Sequence, residues 1–154
     1  MSPNPFPKTG NAHADLADLA GGVAIVTGGA SGIGYALAER ALAHGMHTVL
    51  ADIDAEAIAG AERSLAATAR GANVEVFGNV ADVSSEESVA RLAAAVDERF
   101  AGRPISLLCC NAGVGGCGSV LSAPDVDWDF VLGVNVKGVA NCVRAFFPRM
   151  LEQG

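Results

Sequence analysis

Basic residues are scarce in this chain. Lysine occurs twice, at Lys8 and Lys137, and the ten Lys and Arg are outnumbered by seventeen Asp and Glu, leaving a formal net charge of −7 over 154 residues. That balance excludes a nucleic-acid-binding surface, which needs clustered Lys and Arg. It does not exclude a dinucleotide, because the amides of a glycine turn hold phosphates without basic side chains. Tyrosine occurs once, at Tyr35, and tryptophan once, at Trp128. The four cysteines, Cys109, Cys110, Cys117 and Cys142, form no C-x-x-C pair, and no His stands at ligand spacing from them. No metal site is expected, and the thiols read as buried and reduced in a cytoplasmic protein. His13, His44 and His47 share no pattern that implies chemistry. Residues 1–20 carry three prolines and no apolar stretch, so they read as a flexible leader, not a secretory signal. The uncharged stretches 19–38 and 104–124 are long enough to raise a membrane span, but repeated Gly with Asn111 and Pro124 breaks them. No membrane or nucleic-acid partner is expected.

What remains is rich in small apolar residues. The apolar fraction is 51% and the charged fraction 18%, which suits a sheet covered by helices on both faces. Strand and helix patterns alternate four times. Apolar runs at 23–27, 47–51, 74–77 and 105–110 predict strands. Helices are predicted over 35–44, with Ile33, Leu37 and Ala41 on one face, and over 54–69, with Ile58, Ala61, Leu65 and Ala69. Ser84 and Glu87 stand at capping-box spacing before a helix whose buried face is Val89, Leu92, Val96 and Phe100. A long helix is predicted over 125–151. Phe130, Val134, Gly138, Cys142 and Phe146 form one apolar line, and Val131, Val139, Val143 and Phe147 form another, interrupted by Asn135. The polar remainder is Lys137, Asn141 and Arg144. A helix apolar over so much of its circumference needs a second cover besides the sheet, so a homo-oligomer through 125–151 is expected. The fold class implied is α/β: a three-layer, Rossmann-type, doubly wound parallel sheet, truncated after about four strands, with residues 21–154 as one incomplete dinucleotide-binding domain.

The chemistry begins at Thr27-Gly28-Gly29-Ala30-Ser31-Gly32-Ile33-Gly34, directly after the first strand and opening the first helix. A glycine-dense turn there presents bare backbone N–H groups and a helix N-terminus to an anion, usually the pyrophosphate of a dinucleotide. Asp52 ends the second strand, 24 residues beyond Gly28, the spacing of a carboxylate that accepts from the adenosine ribose. Asp54 fits the cap of the next helix better, which leaves Asp52 free. A 2′-phosphate against Asp52 would cost about 4 kcal/mol at about 4 Å, on the order of a thousandfold in affinity. Ile53 and Asp54 follow, with no Arg or Lys to offset it. NAD is therefore expected over NADP.

These residues resemble the cofactor turn of the short-chain dehydrogenase/reductases, whose glycine spacing matches Thr27-Gly28-x-x-x-Gly32-x-Gly34. Three more segments follow in order. Asp82-Val83 resembles the family's adenine-contacting pair. Asn111-Ala112-Gly113 resembles the segment that steadies the central sheet beside the cofactor. Asn135 resembles the helical Asn of the family's proton relay. The resemblance implies a cofactor site of Gly28, Ser31, Gly32, Ile33, Gly34, Asp52, Ile53, Asp82, Val83, Asn111, Ala112 and Gly113, with Asn135 on the catalytic side. It also implies hydride transfer between a nicotinamide and a small alcohol or ketone. In the family the proton moves through a Ser and a Tyr-x-x-x-Lys. Here Glu39 stands four residues after Tyr35, and no Tyr-x-x-x-Lys occurs. This chain is expected to be the cofactor-binding half, with little turnover alone, strand order 3-2-1-4, and a tendency to self-associate at its exposed fourth strand. The alternatives are a non-catalytic NAD-binding module or inactive fragment, and a methyltransferase, in which Asn111-Ala112-Gly113 and Asn135 have no place.

Overall fold

The computed structural model describes residues 16–116 and 118–153. The leader reading for residues 1–15, with Lys8 and His13, and the reading of Cys117 lie outside the described residues. Leu16–Leu19 form a short 3-10 turn, and Leu19 packs against Ala24, Ala41 and Met46.

Four parallel strands follow: β1 (Val23–Thr27), β2 (His47–Asp52), β3 (Val76–Val80) and β4 (Ile105–Cys109), in spatial order β3-β2-β1-β4. β1 is central and its five residues are buried. Its alternation divides the core. Val23 and Ile25 face α3 (Glu86–Arg99) and α5 (Val139–Gln153), where Val89, Leu92, Val96, Cys142 and Phe146 pack. Val26 faces α1 (Gly32–Ala43) and α2 (Ala55–Gly71), against Ala38, Leu42, Ala61 and Leu65. Each fully buried Val, Ile or Leu contributes about 1.5–3 kcal/mol relative to exposure, so the strand ends are firmly placed. The sheet is doubly wound as the alternation predicts, and among the described residues β4 has a strand neighbour on one side alone.

Four local expectations need correction. On α1 the sheet-facing residues are Gly34, Ala38, Ala41 and Leu42, while Ile33 is 75% exposed and Leu37 39%. Only small residues fit where the helix meets the turn backbone. β3 is shifted from 74–77: it begins at Val76 and runs to Val80, because Gly78, Asn79 and Val80 pair with Leu50, Ala51 and Asp52. A Cβ on Gly78 would meet Ile58 Cγ2 at 2.1 Å, and the Gly78 N–H donates to Glu62 Oε1 at 2.7 Å. Ser85, not Ser84, caps α3, accepting from Ser88 N. Ser84 is taken by Asp82, whose Oδ1 accepts both its N–H (2.9 Å) and its hydroxyl (2.7 Å).

The fourth correction concerns the long helix. It runs unbroken as α4 (Asp125–Leu132), a π-helical segment (Gly133–Gly138) and α5. Gly138, Cys142 and Phe146 are buried as expected, but Phe130 is exposed. Asn141, expected on the polar side, is buried. Of the second apolar line only Val143 is exposed, Val131, Val139 and Phe147 being half-buried, and the exposed apolar face is formed with Leu132 and Val136, which stand in neither expected line. This 29-residue helix, Asp125–Gln153, is long enough for a membrane span, and an 18-residue window within it has a mean hydropathy of 1.3. Here one face packs on the sheet, and Arg149 pairs with Asp97 of α3.

Candidate cofactor cleft

The site is built where the strands end. Thr27, the last residue of β1, is 1% exposed. Its Oγ1 accepts the N–H groups of Asn111 and Ala112, each at 3.0 Å, and donates to Cys109 O at 3.3 Å. Asn111 returns the tie, its Nδ2 donating to Thr27 O at 2.9 Å and Gly28 O at 3.3 Å. One hydroxyl and one amide thus fix the end of β4 beside the glycine turn, a role for Thr27 that the spacing argument does not supply.

Three glycines make the turn possible. Gly28 has φ +62°, and a Cβ there would meet Ala112 Cα and Asn111 Nδ2 at 3.0 Å. A Cβ on Gly34 would stand 1.9 Å from Gly28 O. Gly32, at φ +53°, faces open space. Ser31 precedes α1 and makes no side-chain cap bond, so its hydroxyl and the first helical N–H groups are not used by a cap.

Asp54 caps α2, accepting from Glu56 N at 2.9 Å and Ala57 N at 3.0 Å. Asp52 is not free, however. Its Oδ2 accepts from Ala30 N at 3.2 Å and its Oδ1 from Asp54 N at 3.3 Å. These bonds tie the carboxylate to the glycine turn, and each oxygen retains further acceptor capacity. Beyond β3, Asp82 and Val83 form a corner. Beyond β4, Asn135 reaches from the π segment to the loop, with Oδ1 accepting from Val114 N (2.8 Å) and Nδ2 donating to Val114 O (2.9 Å). Isolated π turns recur at functional sites.

All the residues assigned to the cofactor by resemblance line one cavity of about 540 Å³. Gly28 to Gly34 form its floor, Asp52 and Ile53 one flank, Asp82 and Val83 the next, and Asn111 to Gly113 the other. Val114 also lines it, as do Ser84, Phe130 and Val134, which the sequence pattern assigns to a helix cap and an apolar helix face. Asn135 does not line the cavity; its Oδ1 lies 3.4 Å from where a Gly113 Cβ would stand. The open face at Gly32 and the available carboxylate acceptors suit a diphosphate joined to a sugar. Cys109, Cys110 and Cys142 are free thiols. The Cys142 thiol hydrogen-bonds Cys110 and brings it down to about 7, while the same bond and burial raise Cys142. Among the described residues no cluster of His, Cys, Asp and Glu would hold a metal ion.

A parallel sheet with helices on both faces and a glycine turn at the end of its first strand defines a Rossmann-like nucleotide-binding protein. The chain belongs to the short chain dehydrogenase family, which it matches over residues 22–154. It is 36% identical over 139 residues to a C alpha-dehydrogenase of Sphingobium sp. strain SYK-6, covering 90% of this chain and 44% of that protein. It is 40% identical over 133 residues to the 1-deoxy-11-beta-hydroxypentalenate dehydrogenase of Streptomyces avermitilis, covering 85% and 47%. A short chain dehydrogenase/reductase from Burkholderia phymatum, solved with NAD, superposes with a TM-score of 0.79 at 44% identity, over 88% of this chain and 46% of that one. The L-sorbose reductase of Gluconobacter frateurii, solved with NADPH and L-sorbose, gives 0.79 at 31% identity, over 88% and 50%. The chain spans about half the length of the curated relatives it matches.

Proposed function

We propose that this chain is the cofactor-binding half of an NAD-dependent oxidoreductase that moves a hydride between the nicotinamide and the carbon of a small alcohol or ketone. The observation that carries the reading is Asp52: a carboxylate at the end of β2, bonded to the turn that would hold the diphosphate, inside the same cavity. Bound NAD would supply the hydride acceptor or donor. The chain's own residues would bind and orient. The N–H groups around Gly32 would meet the diphosphate, Asp52 would accept from the ribose hydroxyls, and Asp82 and Val83 would flank the adenine. Asn111 would hold the floor, and Asn135 would fix the Val114 loop on the nicotinamide side. Nothing among the 154 residues matches the Tyr-x-x-x-Lys that moves the proton, so these residues alone should turn over little; loss of such a donor costs several kcal/mol. The free thiols support a reducing, cytoplasmic setting.

Calorimetric titration with NAD and NADP tests the reading. The chain should bind NAD on the order of 1000-fold more tightly than NADP. Asp52→Ala should weaken NAD about tenfold or more and remove most of the preference. Failure of the folded chain to bind either dinucleotide, or tighter binding of NADP, would overturn it. S-adenosylmethionine should not bind.

The exposed face of Leu132, Val136 and Val143 supports association of two copies through residues 125–151. Sedimentation should show self-association that Leu132→Glu with Val136→Lys abolishes while NAD binding persists. A monomer at all concentrations would refute it.

A further inference from the structure

Asn141 is buried on α5 at 3% exposure, and its Nδ2 donates to Val83 O at 2.9 Å, 58 residues away. Its Oδ1 is buried with no partner among the described residues. An apolar side chain of similar volume would remove that buried oxygen but leave the Val83 carbonyl without this donor. The amide at this position is therefore committed to the Val83 main chain. Three residues earlier the end of the π-helical segment approaches the same target, for a Cβ on Gly138 would stand 2.7 Å from Val83 Cγ2. From the other side, Ser88 Oγ of α3 accepts the Asp82 N–H at 3.0 Å. The Asp82–Val83 corner is thus gripped on its backbone by one side chain from each of two helices.

The strand order says what that corner bounds. In β3-β2-β1-β4, residues following β3 lie outside Asp52, on the flank away from β4. With a sugar held at Asp52, the diphosphate lies toward β1, and the base must extend toward Val83. Val114, held by Asn135, lies on the opposite flank. A single continuous helix therefore bonds backbone on both sides of the cleft, through Asn135 and Asn141.

We propose that Asn141 is a positioning residue for the base of the dinucleotide: by holding the Val83 carbonyl it sets the wall against which the base packs, and with it the discrimination between bases. This rests on the reading of the cleft as a dinucleotide site. The test titrates the chain with NAD and with nicotinamide hypoxanthine dinucleotide, which differs only in the base. Wild type should prefer NAD by about tenfold, and Asn141→Leu should lose about tenfold in NAD affinity with the ratio falling toward one. Ser88→Ala, which loosens the corner from α3, should lower the ratio about threefold by the same arithmetic. Cys142→Ala, an adjacent buried change on the same helix, should lower the melting temperature and leave the ratio intact. An unchanged ratio in folded Asn141→Leu overturns the proposal. Should that variant not fold, an unchanged ratio in Ser88→Ala does so. If wild type binds neither dinucleotide, the reading of the cleft falls and takes this inference with it. If wild type binds both and only the ratio in the variants fails to move, the cleft stands and the role of Asn141 does not.

Discussion

At the C-terminal ends of the strands, short side chains brace the main chain around an open glycine turn; at the N-terminal ends, main-chain bonds and the longer side chains of His47, Arg103 and Gln153 close the loops. Thr27, Asp52, Asp82 and Asn111 all accept from or donate to backbone around the cleft. Below, Gly21 N donates to Gly45 O (2.8 Å), Val23 N to Pro104 O (2.8 Å) and His47 N to Gly22 O (2.9 Å), over an apolar plug of Leu19, Ala24, Ala41 and Met46. A smaller cavity of about 340 Å³ opens at this end beside Arg103 and Arg149, but Arg149 is paired with Asp97 and Arg103 donates to Gly21 O. The same strands thus present two chemically different ends. Where backbone closes on backbone, few donors are left for a ligand. Where short side chains brace the strand ends, the first turn of α1 can direct its N–H groups into open space.

Matched glycine substitutions break this comparison most severely. A Cβ on Gly34 meets Gly28 O at 1.9 Å and Asn111 Nδ2 at 2.7 Å, so the turn must open. Gly34→Ala should destabilise the fold by about 3 kcal/mol and weaken NAD at least about 100-fold, equivalent to about 2.7 kcal/mol. Gly22 is as crowded at the other end, its Cβ meeting Ser106 Oγ at 1.9 Å. That oxygen belongs to a rotatable side chain, although Ser106 Cβ at 2.9 Å still resists. Gly22→Ala should cost about 1–2 kcal/mol and leave NAD affinity of the folded protein unchanged. Denaturant unfolding and calorimetry together decide this. Equal loss of NAD binding in the two variants would show that the ends are not independent.

The cleft end is also the more legible from sequence, for a physical reason. The glycine turn stands directly between β1 and α1, Asp54 caps the helix it precedes, and Asp52 follows the turn by one helix and one strand, so position along the chain carries the information. The alternating strands and helices likewise imply the sheet order through right-handed crossovers. Asn141 reads as a polar surface position because its partner, Val83 O, is 58 residues away. β3 reads two to three residues too early because Gly78 and Asn79 look like a turn, and pairing with β2 overrides that propensity. The inward face of α1 reads one residue out of phase, because hydrophobicity favours Ile33 while contact with the turn admits only Gly34. In each case a distant backbone decides what the local pattern cannot.

The mildest expected effect lies at the closed end. His47 opens β2, is 7% exposed, and its ring lies 5.5 Å from that of Phe100. Its Nδ1 accepts from Glu75 N at 3.1 Å and must be unprotonated to do so. Burial, then the nearby Arg103 charge, holds the imidazole below its ordinary value of 6.5, with Glu75 offsetting part of the shift. Below that value the unfolded chain takes up a proton that the folded chain refuses, so stability falls as pH drops through 6.5 toward the lower folded value. Melting should therefore shift down by roughly 1–3 °C between about pH 6.5 and 5.5, and His47→Gln should flatten that slope. NAD affinity of the folded chain should show no matching change over the same window, because the imidazole lies at the opposite ends of the strands from the cleft. An equal slope in His47→Gln would assign the acid sensitivity elsewhere, and a parallel loss of NAD binding would show that the closed end communicates with the open one.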